Sequence, residues 1–149
     1  MSSGTALDFI NRLNWDIGSG NINDIEILDP NINNHRKLNQ QEINLMNQPV
    51  NNKPLVLYMT ASDNYGEKRV YPENMNIFQI LGAIYNYYQE PITIPEVRSS
   101  PHANEEYRKE VLRRIAKGER IPRIEWMGDH TSFAGFQPHN EGYSVTIES

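Results

Sequence analysis

The residues best placed to do chemistry lie late in the chain. Gly128-Asp129-His130-Thr131-Ser132 is followed by a second histidine, His139. A histidine beside an acid and two hydroxyls suggests either a metal site or a hydrolytic relay. A metal site at Asp129, His130 and His139 would need a fourth donor, and no His-x-x-x-His or His-Glu-x-x-His spacing occurs anywhere. A relay of Ser132, His130 and Asp129 fails on geometry, because successive side chains along a strand point to opposite faces. The sequence therefore predicts that Asp129 caps a tight turn and that His130 bonds to backbone. It predicts no catalytic residue, no metal ligand, no cofactor and no small-molecule substrate. Gly18-Ser19-Gly20 lacks the context of either nucleotide fingerprint, and Glu105-Glu106 suits the start of a helix rather than an acid/base pair.

Charge is the second candidate. Residues 98–123 hold eight Lys or Arg and four Glu, whereas the remainder holds six and fifteen acids, within a chain of net charge −5. Arg108, Lys109, Arg113, Arg114, Lys117 and Arg120 could track phosphates, so nucleic-acid binding by residues 104–123 is one reading. Interleaved acids favour another, a solvated helix face with ion pairs such as Glu110 to Arg113 and Arg114. Such polarity suits docking to an acidic partner protein or to a second copy. Tyr87 falls off the apolar stripe of its helix and is expected to be exposed, as interface tyrosines are. The predicted partner-binding set is Arg108, Arg113, Arg114, Lys117, Arg120 and Tyr87.

Elements must position these groups. Ile77, Ile80, Leu81, Ile84, Tyr85 and Tyr88 recur on one helical face, entered near Asn74 or Asn76 and stopped by Pro91. A second helix is predicted over residues 104–117, with Tyr107, Val111, Leu112 and Ile115 inward and Gly118 as the stop. Leu55-Val56-Leu57-Tyr58-Met59 reads as a buried strand, with Arg69-Val70-Tyr71 as a short partner. The last third alternates over residues 123–127, 131–136 and 143–147, which predicts three strands joined by turns. Upstream, 18 asparagines crowd the sequence, ten of them between Asn21 and Asn52. There only short pieces are expected: a helix over residues 5–13 capped by Thr5, a segment closed by Asp29-Pro30-Asn31, and a helix over residues 39–46.

The expected fold is α+β: a mainly antiparallel sheet with two helices packed on one face, residues 55–149 forming the compact domain and 1–54 an irregular arm. Two stretches carry a resemblance. Ile84-Tyr85-Asn86-Tyr87-Tyr88-Gln89-Glu90-Pro91-Ile92-Thr93 and the run from Arg123-Ile124-Glu125-Trp126-Met127 through Phe133 to Phe136 resemble an uncharacterised domain of giant-virus and fungal proteins, across about residues 55–149. That resemblance implies an architecture without an assigned activity, and agrees with an Asn-rich composition typical of AT-rich genomes. With no cysteine, no signal peptide and no membrane-length apolar run, a soluble, unprocessed protein of the cytoplasm, or of a virion or its host cytoplasm, is expected. The functional expectation is a non-catalytic protein-interaction or structural module. Nucleic-acid binding is the first alternative, and a small metal-dependent or hydrolytic enzyme at Asp129/His130 is the second.

Overall fold

Asparagine chemistry sets many of the element boundaries. Asn39 and Asn76 each accept the backbone N–H three residues on, while Glu42 and Gln79 reach back to the cap N–H, so both helices open on a capping box. Asn104 caps a third helix through the N–H groups of Glu106 and Tyr107. Asn33, Asn74 and Asn140 adopt the left-handed conformation that asparagine tolerates better than other side chains with a Cβ.

The computed structural model describes residues 3–62, 65–100, 104–129 and 131–148. Its elements run α1 (Ser3–Ile10), β1 (Leu13–Asp16), β2 (Glu26–Asp29), β3 (Asn34–Lys37), α2 (Gln40–Met46), β4 (Leu55–Ser62) and β5 (Tyr65–Tyr71). Then follow α3 (Ile77–Gln89), α4 (Ile94–Arg98), α5 (Glu105–Ala116), α6 (Arg123–Met127), β6 (Ser132–His139) and β7 (Gly142–Glu148). The fold is α+β with one seven-stranded sheet in the order β3-β2-β1-β6-β7-β4-β5. Every neighbouring pair is antiparallel except β4 with β7, so the sheet is mixed.

Three expectations change. The first third is not irregular: β1 to β3 form a meander that joins the sheet where Trp15 pairs with Phe133. The first helix starts before Thr5 and ends at Ile10, and Leu13 belongs to a strand, because alternating Leu13 and Trp15 are buried while Asp16 is exposed. Residues 123–127 are a helix rather than a strand. Arg123 and Trp126 lie three apart on one buried face, Pro122 precedes the first turn, and Gly128 at φ 65° ends it. A five-residue window satisfies both periods, and the tertiary setting decides between them.

One face of the sheet carries the main core. Leu13, Trp15, Ile27, Leu57, Met59, Phe133 and Val145 pack with Ile77, Ile80, Leu81 and Ile84 of α3, with Phe9 and Ile10 of α1, and with Met46 of α2. A smaller core of Ile92, Val97, Val111, Ile121 and Trp126 joins α4, α5 and α6. The other face remains half-buried or exposed at Asn14, Tyr58, Lys68, Val70, Gln137 and Ser144, as antiparallel sheets allow.

The parallel junction of β4 and β7 depends on a glycine. A Cβ on Gly142 would stand 2.1 Å from the Val56 carbonyl oxygen, a backbone atom that cannot swing aside. Gly142→Ala should therefore lower unfolding free energy by roughly 1–3 kcal/mol. Gly82→Ala in α3, where a Cβ meets nothing within 4 Å, should raise it by about 0.5–1 kcal/mol. Urea melts of both variants check the pair, and an unaffected Gly142→Ala would contradict the packing.

Candidate functional site

Three groups of ionisable side chains among the described residues bear on the site, each positioned by different elements. The first is the basic stretch on α5. Arg113 pairs with Glu110 at 2.5 Å, as the spacing suggested. Arg114 instead reaches Glu119 and, at 3.2 Å, Glu125 on α6. Arg108 is half-buried, and its guanidinium donates to the carbonyl oxygens of Arg98 and Ser100, which follow from the end of α4. Two of the five predicted cations, Arg108 and Arg114, thus tie α5 to α4 and α6, Arg113 is paired within α5, and Lys117 and Arg120 are exposed. Tyr107, expected inward, is 37% exposed and stacks on Trp126 with ring centroids 5.3 Å apart.

The second place lies around Asp129. His130 lies outside the described residues, so its predicted backbone bond has no description here. Asp129 is exposed in the turn after α6. His139 closes β6 at the far end of that strand, its ring edge-on to Tyr58 at 4.6 Å. Ser132 pairs with Asp16 and Glu148 across the sheet. Among the described residues, no three His, Asp or Glu side chains converge as a metal site would require.

The third place was not foreseen as a site. Arg123, the first residue of α6, is 4% exposed and donates through Nε and Nη2 to both oxygens of Glu96 at 2.8 and 3.0 Å. Glu96 is fully buried, and its Oε1 also accepts the N–H and hydroxyl of Thr93 in the α4 capping box. The Nη1 of Arg123 donates to the Tyr87 carbonyl and to Glu90 at 2.9 Å. Above it, Arg69 of β5 donates to both Glu90 oxygens and to Glu67. The Tyr87 ring lies against both guanidiniums, 4.1 Å from that of Arg123 and 5.1 Å from that of Arg69.

Tyr87 therefore corrects its expectation: it is 1% exposed and offers no ring to an outside partner. It stands three residues after Ile84 and seven after Ile80, so the buried face of α3 is wider than the stripe suggested. The extra width is covered by Arg123 and Arg69, which no apolar periodicity could announce.

The electrostatics follow from these contacts. Burial opposes the charge of Arg123, but the hydrogen bonds it donates to Glu96 and Glu90 outweigh it and raise its pKa. Burial pushes the Tyr87 phenol up. The Arg69 guanidinium holds Glu90 below the usual 4.5, and Arg36 does the same for Glu42. These groups are tuned to stay charged, or in the case of Tyr87 neutral, across the physiological range. That suits clamping rather than proton transfer.

The cluster also marks a surface. β5 is the last strand of the sheet, and on its helix side Glu67, Arg69 and Glu90 remain about one-third exposed. On its opposite side Val70 is 59% exposed and pairs with Val56. Further along that side, Lys68 pairs with Glu141, which also accepts a 3.4 Å hydrogen bond from the Tyr58 hydroxyl.

Residues 14–143 match the model of a family of unknown function (DUF6699), and the chain belongs to that family. Comparison with curated proteins and with solved structures finds no match. The matched span runs from β1 into β7 and so includes both the N-terminal meander and the ionic cluster.

Removing one partner of a buried ion pair strands the other. Arg123→Met should cost roughly 3–5 kcal/mol of unfolding free energy, and adding Glu96→Gln should recover part of that loss. A single-variant cost below about 1 kcal/mol would contradict the pairing. The pH dependence has a definite sign. Glu90 and Glu42 have carboxyls held below 4.5 in the folded state. Their contribution is therefore complete above that value and lost as the pH falls through the lowered folded values. Denaturation midpoints should be flat from pH 7 to about 5 and drop on further acidification.

Proposed function

We propose that this member of a family of unknown function is a non-catalytic protein-interaction module that presents the β5 margin of its sheet to a partner. The observation that carries this reading is the division of labour at β5. Its helix-side charges are fixed by Glu90 and Arg123, while Val70 on the other side stands 59% exposed beside Val56. A margin held rigid on one side, and carrying an exposed valine beside the Lys68–Glu141 pair on the other, suits docking, because little order is lost on binding. The perturbed groups support the same reading, since each is shifted by burial or a fixed ion-pair partner rather than poised near neutral pH.

Nucleic-acid binding by residues 104–123 is the competing reading. It is weakened by the internal engagement of Arg108, Arg113 and Arg114. A viral source, and a place in the virion or host cytoplasm, belong to the proposal as well, supported by the resemblance described above and by the Asn-rich composition. No helix among the described residues is long and apolar enough to cross a membrane.

The test is selective capture from the cells that make the protein, using wild-type, Val70→Glu and Lys109→Glu baits, with light scattering to detect self-association. A protein, or a second copy, held by wild type and Lys109→Glu should be lost about tenfold or more with Val70→Glu, as expected of an interface anchor. Equal retention by all three baits, or none by any, would overturn the proposal. Low-salt oligonucleotide binding that weakens steeply with added salt would transfer the assignment to α5.

A further inference from the structure

β5 ends the sheet, so alternate residues direct their N–H and C=O groups away from β4 with no strand to receive them among the described residues. No helix makes an extensive contact with β5 either; its dominant neighbour is β4. The side chains flanking this free ladder differ sharply between the two faces. On the helix side, two guanidiniums, Arg69 and Arg123, meet three carboxylates, Glu67, Glu90 and Glu96. The cluster therefore carries one surplus negative charge. Glu96 is enclosed, so the surplus is presented by Glu67 and Glu90, which are 32% and 40% exposed. On the other side the exposed groups are Val70, beside Val56, and Lys68, which is paired with Glu141.

We infer that β5 accepts an extended segment of a partner protein as an eighth strand, and that this segment places a lysine or arginine on the helix side, facing Glu67 and Glu90. This rests on the interaction-module reading and specifies its chemistry. Backbone ladder bonds supply attachment, and the alternating pockets supply selection. A segment with period-two alternation would set its cation over the carboxylate surplus and its apolar neighbours beside Val70. A second copy of β5 is disfavoured as the occupant. Antiparallel pairing centred on Lys68 would set each Glu67 across from Arg69 of the other copy, but it would also put two lysines directly opposite and add no cation to offset either cluster's surplus negative charge.

Two acetylated, amidated heptapeptides, TTVKVTT and TTVEVTT, serve as probes against the full chain, read by amide hydrogen exchange and nuclear magnetic resonance titration. The lysine peptide should slow exchange at alternate β5 amides within residues 67–71 and bind about fivefold or more tightly than the glutamate peptide. Glu90→Gln should reduce that preference, with Glu67→Gln as a second variant should the first fail to fold. Unchanged β5 exchange at millimolar peptide, protection confined to another element, or equal binding of both peptides would overturn the inference. If the peptides fail while Val70→Glu still abolishes capture of a partner, strand addition alone is lost. If capture is indifferent to Val70 as well, the interaction reading falls with it.

Discussion

The Arg123–Glu96 pair is the contact on which the helical half of the molecule depends. A charge so enclosed is costly to remove from water, and attraction alone does not ensure a stability gain over an apolar substitute. Its effect is on arrangement. The guanidinium fork satisfies both Glu96 oxygens, the Tyr87 carbonyl and Glu90 at once. Only one placement of α6 against the ends of α3 and α4 does this. Any other packing of the small core around Val97, Val111 and Trp126 would leave an ion buried without a partner. The aromatic contact with Tyr87 extends the same constraint to Arg69, and so fixes the outer strand relative to the helices.

A second, lighter clasp operates on the opposite face. Lys68, Tyr58 and Glu141 hold the turn between β6 and β7 against β4 and β5. Gly142 lets that turn approach until only a hydrogen separates it from the Val56 backbone. Gly135 plays a similar part at the bulge of β6. Its φ of 105° turns the chain so that the Phe136 N–H donates to the Asn11 side chain, tying the segment after α1 to the sheet. Asparagine and glycine thus appear where the backbone needs a conformation or a partner that bulkier residues deny it.

Much of the fold was legible because it rests on local signals. The α3 stripe with its entry near Asn76, the helices beginning near Asn39 and Asn104, the Gly118 stop and the strands at residues 55–59 and 143–147 all rest on signals within a few residues. What escaped depends on distant partners. β1 to β3 are four residues each, too short to show a period, and become strands through pairing with one another and, for β1, with β6. Arg123 looked like the polar member of an alternating strand, although its spacing from Trp126 also fitted a helix. Its burial is explained by Glu96, 27 positions earlier. The same distance hid the ionic cluster, since Glu67, Arg69, Tyr87, Glu90, Glu96 and Arg123 form no motif along the chain. The basic stretch falls on α5 and the segment after it, where Arg113 and Arg114 face acids of their own fold, Arg108 donates to backbone carbonyls, and Lys117 and Arg120 stay exposed.

The order of strands in the sheet carries a consequence for how the molecule assembles as it is synthesised. Among the described residues, the β1–β3 meander and the β4–β5 hairpin share no ladder with each other; the sheet joins them through β6 and β7, which come later in sequence than both. Before β6 and β7 are synthesised, these two groups of strands have no ladder to join them, and each has an edge that the β6–β7 hairpin is to cover. Such edges are prone to mispairing during the seconds that translation takes. Closing the sheet therefore needs contacts between segments far apart in sequence, the kind of pairing that slows folding.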